Sequence, residues 1–142
     1  MRILAVDYGK KRIGLAISST VASMALPLCT IEHKGVCPKA AELVFQKVEQ
    51  LGDIREIVLG WPLFMDGKIS PLCLEVGQFK EHLEKLFLGP IHLIDERLTS
   101  KIAEDSYRSH GFSRKKQKLF LDQAAAVNIL TTFLERKKNS PA

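Results

Sequence analysis

Three groups of carboxylates interrupt otherwise apolar stretches of the chain. Asp7 closes the run Ile3-Leu4-Ala5-Val6, the pair Asp95-Glu96 closes Ile91-His92-Leu93-Ile94, and Asp122 falls within the apolar residues 119–130. A carboxylate in low dielectric is costly to ionise unless a cation meets it. Carboxylates brought together from distant parts of a chain make a hard-oxygen site suited to Mg²⁺ or Mn²⁺. Basic clusters stand beside them: Lys10-Lys11-Arg12 follows Asp7, and Arg114-Lys115-Lys116 with Lys118 precedes Asp122. Metal-holding acids among cations suit a phosphate backbone as substrate, so the pattern points to a metal-dependent nuclease.

Each acid also has a plainer reading. Asp7 could initiate the Tyr8-Gly9 turn. Asp95-Glu96 could be a solvated pair beside Arg97, and Asp122 could form a surface pair with Lys118 one helical turn earlier. What favours chemistry is the coincidence of Asp7 and Asp95-Glu96 at the carboxyl ends of buried strands, where ligands gather in sheets of this kind.

Elements that could position these residues are legible as apolar runs and breakers. Residues 3–6, 13–17 and 24–31 read as three short strands joined as an antiparallel meander, with Pro27 requiring an edge position or a bulge in the third. Pro38 starts a helix in which Ala41, Val44, Phe45, Val48 and Leu51 recur at helical spacing before Gly52. Residues 57–60 form a buried strand, and the loop Trp61-Pro62-Leu63-Phe64 follows. Trp61 and Phe64 there read as core cover rather than as stacking platforms. Ser70-Pro71 opens a second helix whose apolar stripe runs from Leu72 to Phe87 and stops at Gly89-Pro90. Residues 91–94 form the next buried strand, and helices are expected over 100–111 and 113–138, with Asp122, Ala125, Ala126 and Ile129 sharing a face. The order βββαβαβαα specifies an α/β fold with a mixed sheet, antiparallel in its first three strands and parallel in the remainder, with helices on both faces.

Bulk properties agree with one soluble domain over 1–138 and a frayed tail at 139–142. The 142 residues are 46% hydrophobic and 26% charged with a net charge of +5, and mean hydropathy is +0.01. No apolar run approaches the ~20 residues that span a bilayer, the N-terminus turns acidic too soon for a signal peptide, and the three cysteines form no C-x-x-C pair. A cytoplasmic protein with no membrane partner is expected. His33, His82, His92 and His110 show no metal-ligand spacing.

Taken together, the motifs resemble the YqgF/RuvX family, described as Holliday-junction resolvases or pre-16S rRNA processing nucleases, of RNase H-like fold. Asp7-Tyr8-Gly9 with Arg12-Ile13-Gly14 is similar to the family's opening motif, and Gly60-Trp61-Pro62-Leu63 with Asp66-Gly67 to its middle loop. Asp95-Glu96-Arg97-Leu98-Thr99 and Asp122 with Ala125-Ala126 and Ile129-Leu130 complete the set in order. The resemblance implies that Asp7, Glu96 and Asp122 are the catalytic, metal-holding acids with Asp95 beside them. It also implies that Arg12, Arg97 and Thr99 contact or support phosphate. Ser19 and Phe64 depart from the family pattern, which has an Asp and a polar residue there.

The expected activity is hydrolysis of a phosphodiester with Mg²⁺ or Mn²⁺, processing the 5′ end of pre-16S rRNA. Resolution of four-way DNA junctions and a non-catalytic nucleic-acid-binding module are the alternatives. Structured RNA or branched DNA is the partner in either nuclease reading, with a monomer or a homodimer both open. An ATPase of actin type would need a second lobe.

Overall fold

Apolar residues alternate between two faces along the first strand, and that alternation sets the architecture. In the computed structural model, which describes residues 1–19, 24–98 and 123–139, β1 (Arg2–Tyr8) sends Leu4, Val6 and Tyr8 into one core and Ile3 and Ala5 into another. β2 (Arg12–Ser18) and β3 (Ala25–Glu32) extend the sheet antiparallel on one side of it, while β4 (Ile54–Trp61) and β5 (Ile91–Asp95) pair parallel on the other. The strand order is β3-β2-β1-β4-β5, the mixed sheet that the sequence specified.

Helices cover both faces. α1 (Cys37–Leu51) and α2 (Pro71–Leu86) pack together over the face carrying Leu4, Val6, Ile13, Leu15, Ile57 and Leu59. The 3₁₀ turn Glu96–Leu98 follows β5, and α3 (Ala124–Asn139) lies on the opposite face. There the sheet offers small side chains, Ala5, Ala16 and Ala25, so α3 seats Ala126, Val127, Ile129, Leu130, Phe133 and Leu134 close against it. Truncating Ile129 or Leu130 to alanine in such a core costs about 2–5 kcal/mol.

Local signals explain where the elements begin and end. Ser70 Oγ accepts the Cys73 N–H at 3.2 Å and Pro71 takes the first helical position of α2. Gly52 ends α1 in the left-handed region at φ 76° and returns its N–H to Val48 at 3.1 Å. Pro27 sits on β3 at the sheet edge, and the register shifts opposite Leu15 and Ala16, so edge and bulge both occur.

Three expectations need correction. β1 does not stop before Asp7: it continues to Tyr8, which pairs with Ile13 and buries its ring 5.0 Å from Phe79 with its hydroxyl 3.6 Å from Cys37 Sγ. α2 ends at Leu86 rather than at Gly89-Pro90, because Phe87 turns extended and its side chain joins the core. Ala125 is exposed and does not share the buried stripe of Ala126 and Ile129. The expected helix over 100–111 and the first half of the last helix lie outside the described residues. No helix among the described residues is long and apolar enough to cross a membrane.

Candidate active site

Residues directly opposite in a sheet point to the same face, and one such row builds the site. Asp7 pairs with Gly14, and Gly14 pairs with Thr30. On the other side the register Val6–Leu59 places Gly60 next in the ladder, and Gly60 pairs with Ile94. Asp7 therefore stands on the α3 face between two glycines, near the carboxyl ends of β1, β4 and β5. The missing side chains leave space on both flanks of its carboxylate.

Glu96 fills one flank. A Cβ placed on Gly60 would collide with Glu96 Oε1 and would stand 2.7 Å from Ile129 Cδ1. Glycine at position 60 is thus what lets the Glu96 carboxylate lie against the sheet and hydrogen-bond Asp7. Burial pushes the Asp7 carboxyl up, partly offset by its bond to Glu96. Glu96 is pushed up to about 7, first by burial, then by the Asp7 charge, their shared hydrogen bond and the Asp95 charge. Burial and mutual repulsion thus make full ionisation of both hydrogen-bonded carboxyls costly.

Asp95 and Glu96, adjacent in sequence, face different tasks. Asp95 turns to Arg97, accepting from Nη2 at 2.7 Å, from Nε at 3.1 Å and from the Arg97 N–H at 3.0 Å. The Arg97 guanidinium holds the Asp95 carboxyl below the usual range. Arg97 also donates Nη1 to Met65 O at 3.3 Å and passes 3.4 Å from the Cβ position of Gly67, where φ is 88°. The 62–70 loop is closed on itself by Ser70 Oγ donating to Pro62 O at 2.6 Å and Phe64 N–H donating to Lys68 O at 2.9 Å. Trp61 packs on the core, as expected, whereas Phe64, also expected to cover it, is 51% exposed.

The other flank of Asp7 opens into a cavity of about 440 Å³ lined by Asp7, Arg12, Gly14, Thr30 and Glu32. Gln123, the first described residue before α3, donates Nε2 to Thr30 Oγ1, and its buried Oε1 has no hydrogen-bond partner among the described residues. Arg12 pairs in register with Glu32 and shares this rim.

Of the sequence-derived residues, the structure brings Asp7 and Glu96 together, sets Asp95 and Arg97 beside them in the chain, and places Arg12 on the rim of the Asp7 cavity, while Lys10 and Lys11 line a neighbouring cleft. Asp122, Thr99, Arg114, Lys115, Lys116 and Lys118 lie outside the described residues. No group of three or more potential ligands forms a metal cluster among the described residues. The Asp7–Glu96 pair fits a hard divalent cation in its donor chemistry, since both supply carboxylate oxygens and a cation would relieve the repulsion that raises Glu96. Sequence reasoning gave no role to Thr30 or Gln123 and named Gly60 only within the middle-loop motif, without a function of its own. Gly60 had a usable signal, a glycine ending an apolar strand beside the acid-bearing one.

The sheet order, its helical cover and the carboxylate pair at the carboxyl rim define an RNase H-like domain. The chain belongs to the RuvX family: the family model described as Holliday junction resolvase matches residues 1–136. A protein of Maridesulfovibrio salexigens described as "Putative pre-16S rRNA nuclease" is 39% identical over 137 residues, covering 96% of this chain and 99% of that one. A Koribacter versatilis protein of the same description is 40% identical over 136 residues, covering 96% and 88%. Among solved structures, Thermus thermophilus RuvC in complex with a Holliday junction substrate superposes with a TM-score of 0.61 at 11% identity, covering 98% of this chain and 96% of that one. At that identity the likeness is one of fold.

Proposed function

We propose that this protein is a metal-dependent nuclease that hydrolyses phosphodiester bonds of a structured nucleic acid, with the 5′ end of pre-16S rRNA as its substrate in the cytoplasm. The observation that carries this reading is the Asp7–Glu96 pair, two half-buried carboxyls in hydrogen-bonding contact, with Arg12 on the rim of the Asp7 cavity and the Asp95–Arg97 pair next along the chain. The names of the relatives support ribosomal RNA over a DNA junction.

Asp7 and Glu96, joined by Asp122, would hold Mg²⁺ or Mn²⁺. When bound, such an ion supplies Lewis acidity and activates water for attack on phosphorus. The chain's own contribution is positional. Gly60 and Gly14 leave room around the acids, and the β1–β4 pairing fixes Asp7 on a rigid strand. Asp95 locks Arg97 in one orientation, which favours bidentate contact with a non-bridging phosphate oxygen over a swinging side chain. Loss of a proton from the Asp7–Glu96 pair accompanies the ionisation that cation binding requires.

Wild type and Asp7→Asn, incubated with Mg²⁺ or Mn²⁺ and with a pre-16S rRNA 5′ end, single-stranded RNA and a four-way DNA junction, test the assignment. Cleavage of the rRNA precursor by wild type alone, abolished by EDTA, is expected. Preferential junction cleavage would replace the substrate assignment. Binding without cleavage by both proteins would make this a binding module.

A further inference from the structure

We propose that the cleft between the β1–β2 turn and the β3–α1 connection is a second phosphate subsite for the nucleic-acid backbone, with His33 as the positioning residue that holds its two walls together. The proposal rests on the nucleic-acid reading above and extends it to residues outside the acid pair.

The cleft has a volume of about 580 Å³. Lys10, Lys11 and Arg12 line it from one loop and Lys34 from the other, with Glu32 and Glu75 as its acids. Four cations against two carboxylates leave a positive excess. None of the four is ion-paired among the described residues, although other lysines on the molecule are, such as Lys39 with Glu42 and Lys80 with Glu84. Unpaired cations gathered in a concave site attract a polyanion.

Two chain segments more than 20 residues apart make this cleft, and His33 joins them. Its Nδ1 accepts the Gly35 N–H at 3.0 Å, so the ring proton sits on Nε2 and is donated to Gly9 O at 2.6 Å. The His33 backbone N–H donates to Lys11 O at 3.0 Å, and its ring lies 5.2 Å from that of Tyr8. Both walls are tightly turned. Gly35 has φ 82°, and a Cβ on Gly9 would stand 2.6 Å from Arg12 O. The backbone around the four cations is thus pinned to His33, through its imidazole at Gly9 and Gly35 and through its main chain at Lys11.

Arg12 and Glu32 line both this cleft and the Asp7 cavity, so the two adjoin at that pair. Gly14, the partner of Asp7, is two residues from Arg12 along β2, about 7 Å by strand rise. A duplex strand carries one charge per about 3.4 Å of axis. A backbone seated at the acids therefore presents further phosphates to Arg12 and the lysines.

The test is anisotropy of labelled single-stranded RNA and of DNA of the same sequence with the full-length protein, across about 50–200 mM salt, in EDTA and in parallel with Ca²⁺. Each lost phosphate contact lowers the slope of log K against log salt by about 0.7 for single strands. Lys34→Ala should therefore bind about fivefold more weakly at about 0.1 M salt, with the slope reduced on both probes and the thermal midpoint unchanged. His33→Ala should lower the slope as well. His33→Gln, whose amide nitrogen can replace Nε2 as donor to Gly9 O, should restore it, which a merely structural loss would not show. Wild-type affinity and slope in Lys34→Ala would overturn the subsite, as would a loss confined to RNA or to DNA. A wild type that binds neither probe in either condition would instead overturn the nucleic-acid reading itself.

Discussion

Glu96→Gln should stabilise this protein in the absence of metal at alkaline pH while abolishing its chemistry. The Glu96 carboxyl stands at about 7 in the folded chain against 4.5 for a free glutamate, through burial first and the neighbouring Asp7 and Asp95 charges next. A group raised on folding contributes stability below its unfolded value and loses it as pH rises through its folded value. At about 1.4 kcal/mol for each pH unit, the interval corresponds to about 3 kcal/mol. Because Glu96 keeps some solvent contact, about 2 kcal/mol is the expected loss in wild type between pH 5 and 8.5. Glutamine keeps a hydrogen-bond donor for Asp7 and carries no charge, so the variant escapes that loss. Near 142 residues, 2 kcal/mol amounts to about 6–10 °C in thermal midpoint. Melts of both proteins in EDTA at the two pH values should therefore show the variant gaining on wild type as pH rises. Mg²⁺ or Mn²⁺ should close the gap by stabilising wild type alone. A difference between the two proteins that does not change with pH would refute the raised Glu96 carboxyl.

Two further outcomes follow from the same structure. Gly60→Ala puts a methyl group onto the Glu96 carboxylate and 2.7 Å from Ile129 Cδ1; it should cost about 1–3 kcal/mol in a melt and weaken metal-induced stabilisation at least about tenfold in concentration. At the opposite ends of the strands, Glu56 is buried and accepts from Lys137 at 2.6 Å and bonds His92 at 3.1 Å. Burial alone would push its carboxyl up, but these bonds outweigh it and hold it below the usual range. Lys137→Ala should therefore cost about 1 kcal/mol near pH 7, a cost that disappears as pH falls through the lowered Glu56 value, with cleavage rate unaffected.

The architecture was legible because its signals are local. Buried parallel strands read as apolar runs, and Ser70-Pro71 and Gly52 mark helix ends through side-chain capping and a left-handed turn. The extent of β1 was not legible, since Tyr8 looks like the start of a turn until the pocket beside Phe79 and Cys37 is known. Asp7 and Asp95-Glu96 were legible as exceptions at the ends of apolar runs, while Asp122 lies outside the described residues. Their division of labour was not, although parity along β5 carries a hint: Ile94 faces α3, Asp95 the other side, and Glu96 returns towards Asp7. His33 with Gly9, Glu56 with Lys137 and Thr30 with Gln123 pair residues far apart in sequence. Such pairings depend on the register of strands and the seating of α3, and a single sequence does not encode them in any local pattern.

Calorimetric titration of Mn²⁺ into wild type, Asp7→Asn and Glu96→Gln near pH 7, in buffers of different ionisation heat, tests the central claim without requiring a substrate. Wild type should bind the ion and release a proton as it does so, while each variant should lose at least about tenfold in affinity and most of the proton release. Wild-type affinity in both variants would contradict a metal site built on Asp7 and Glu96.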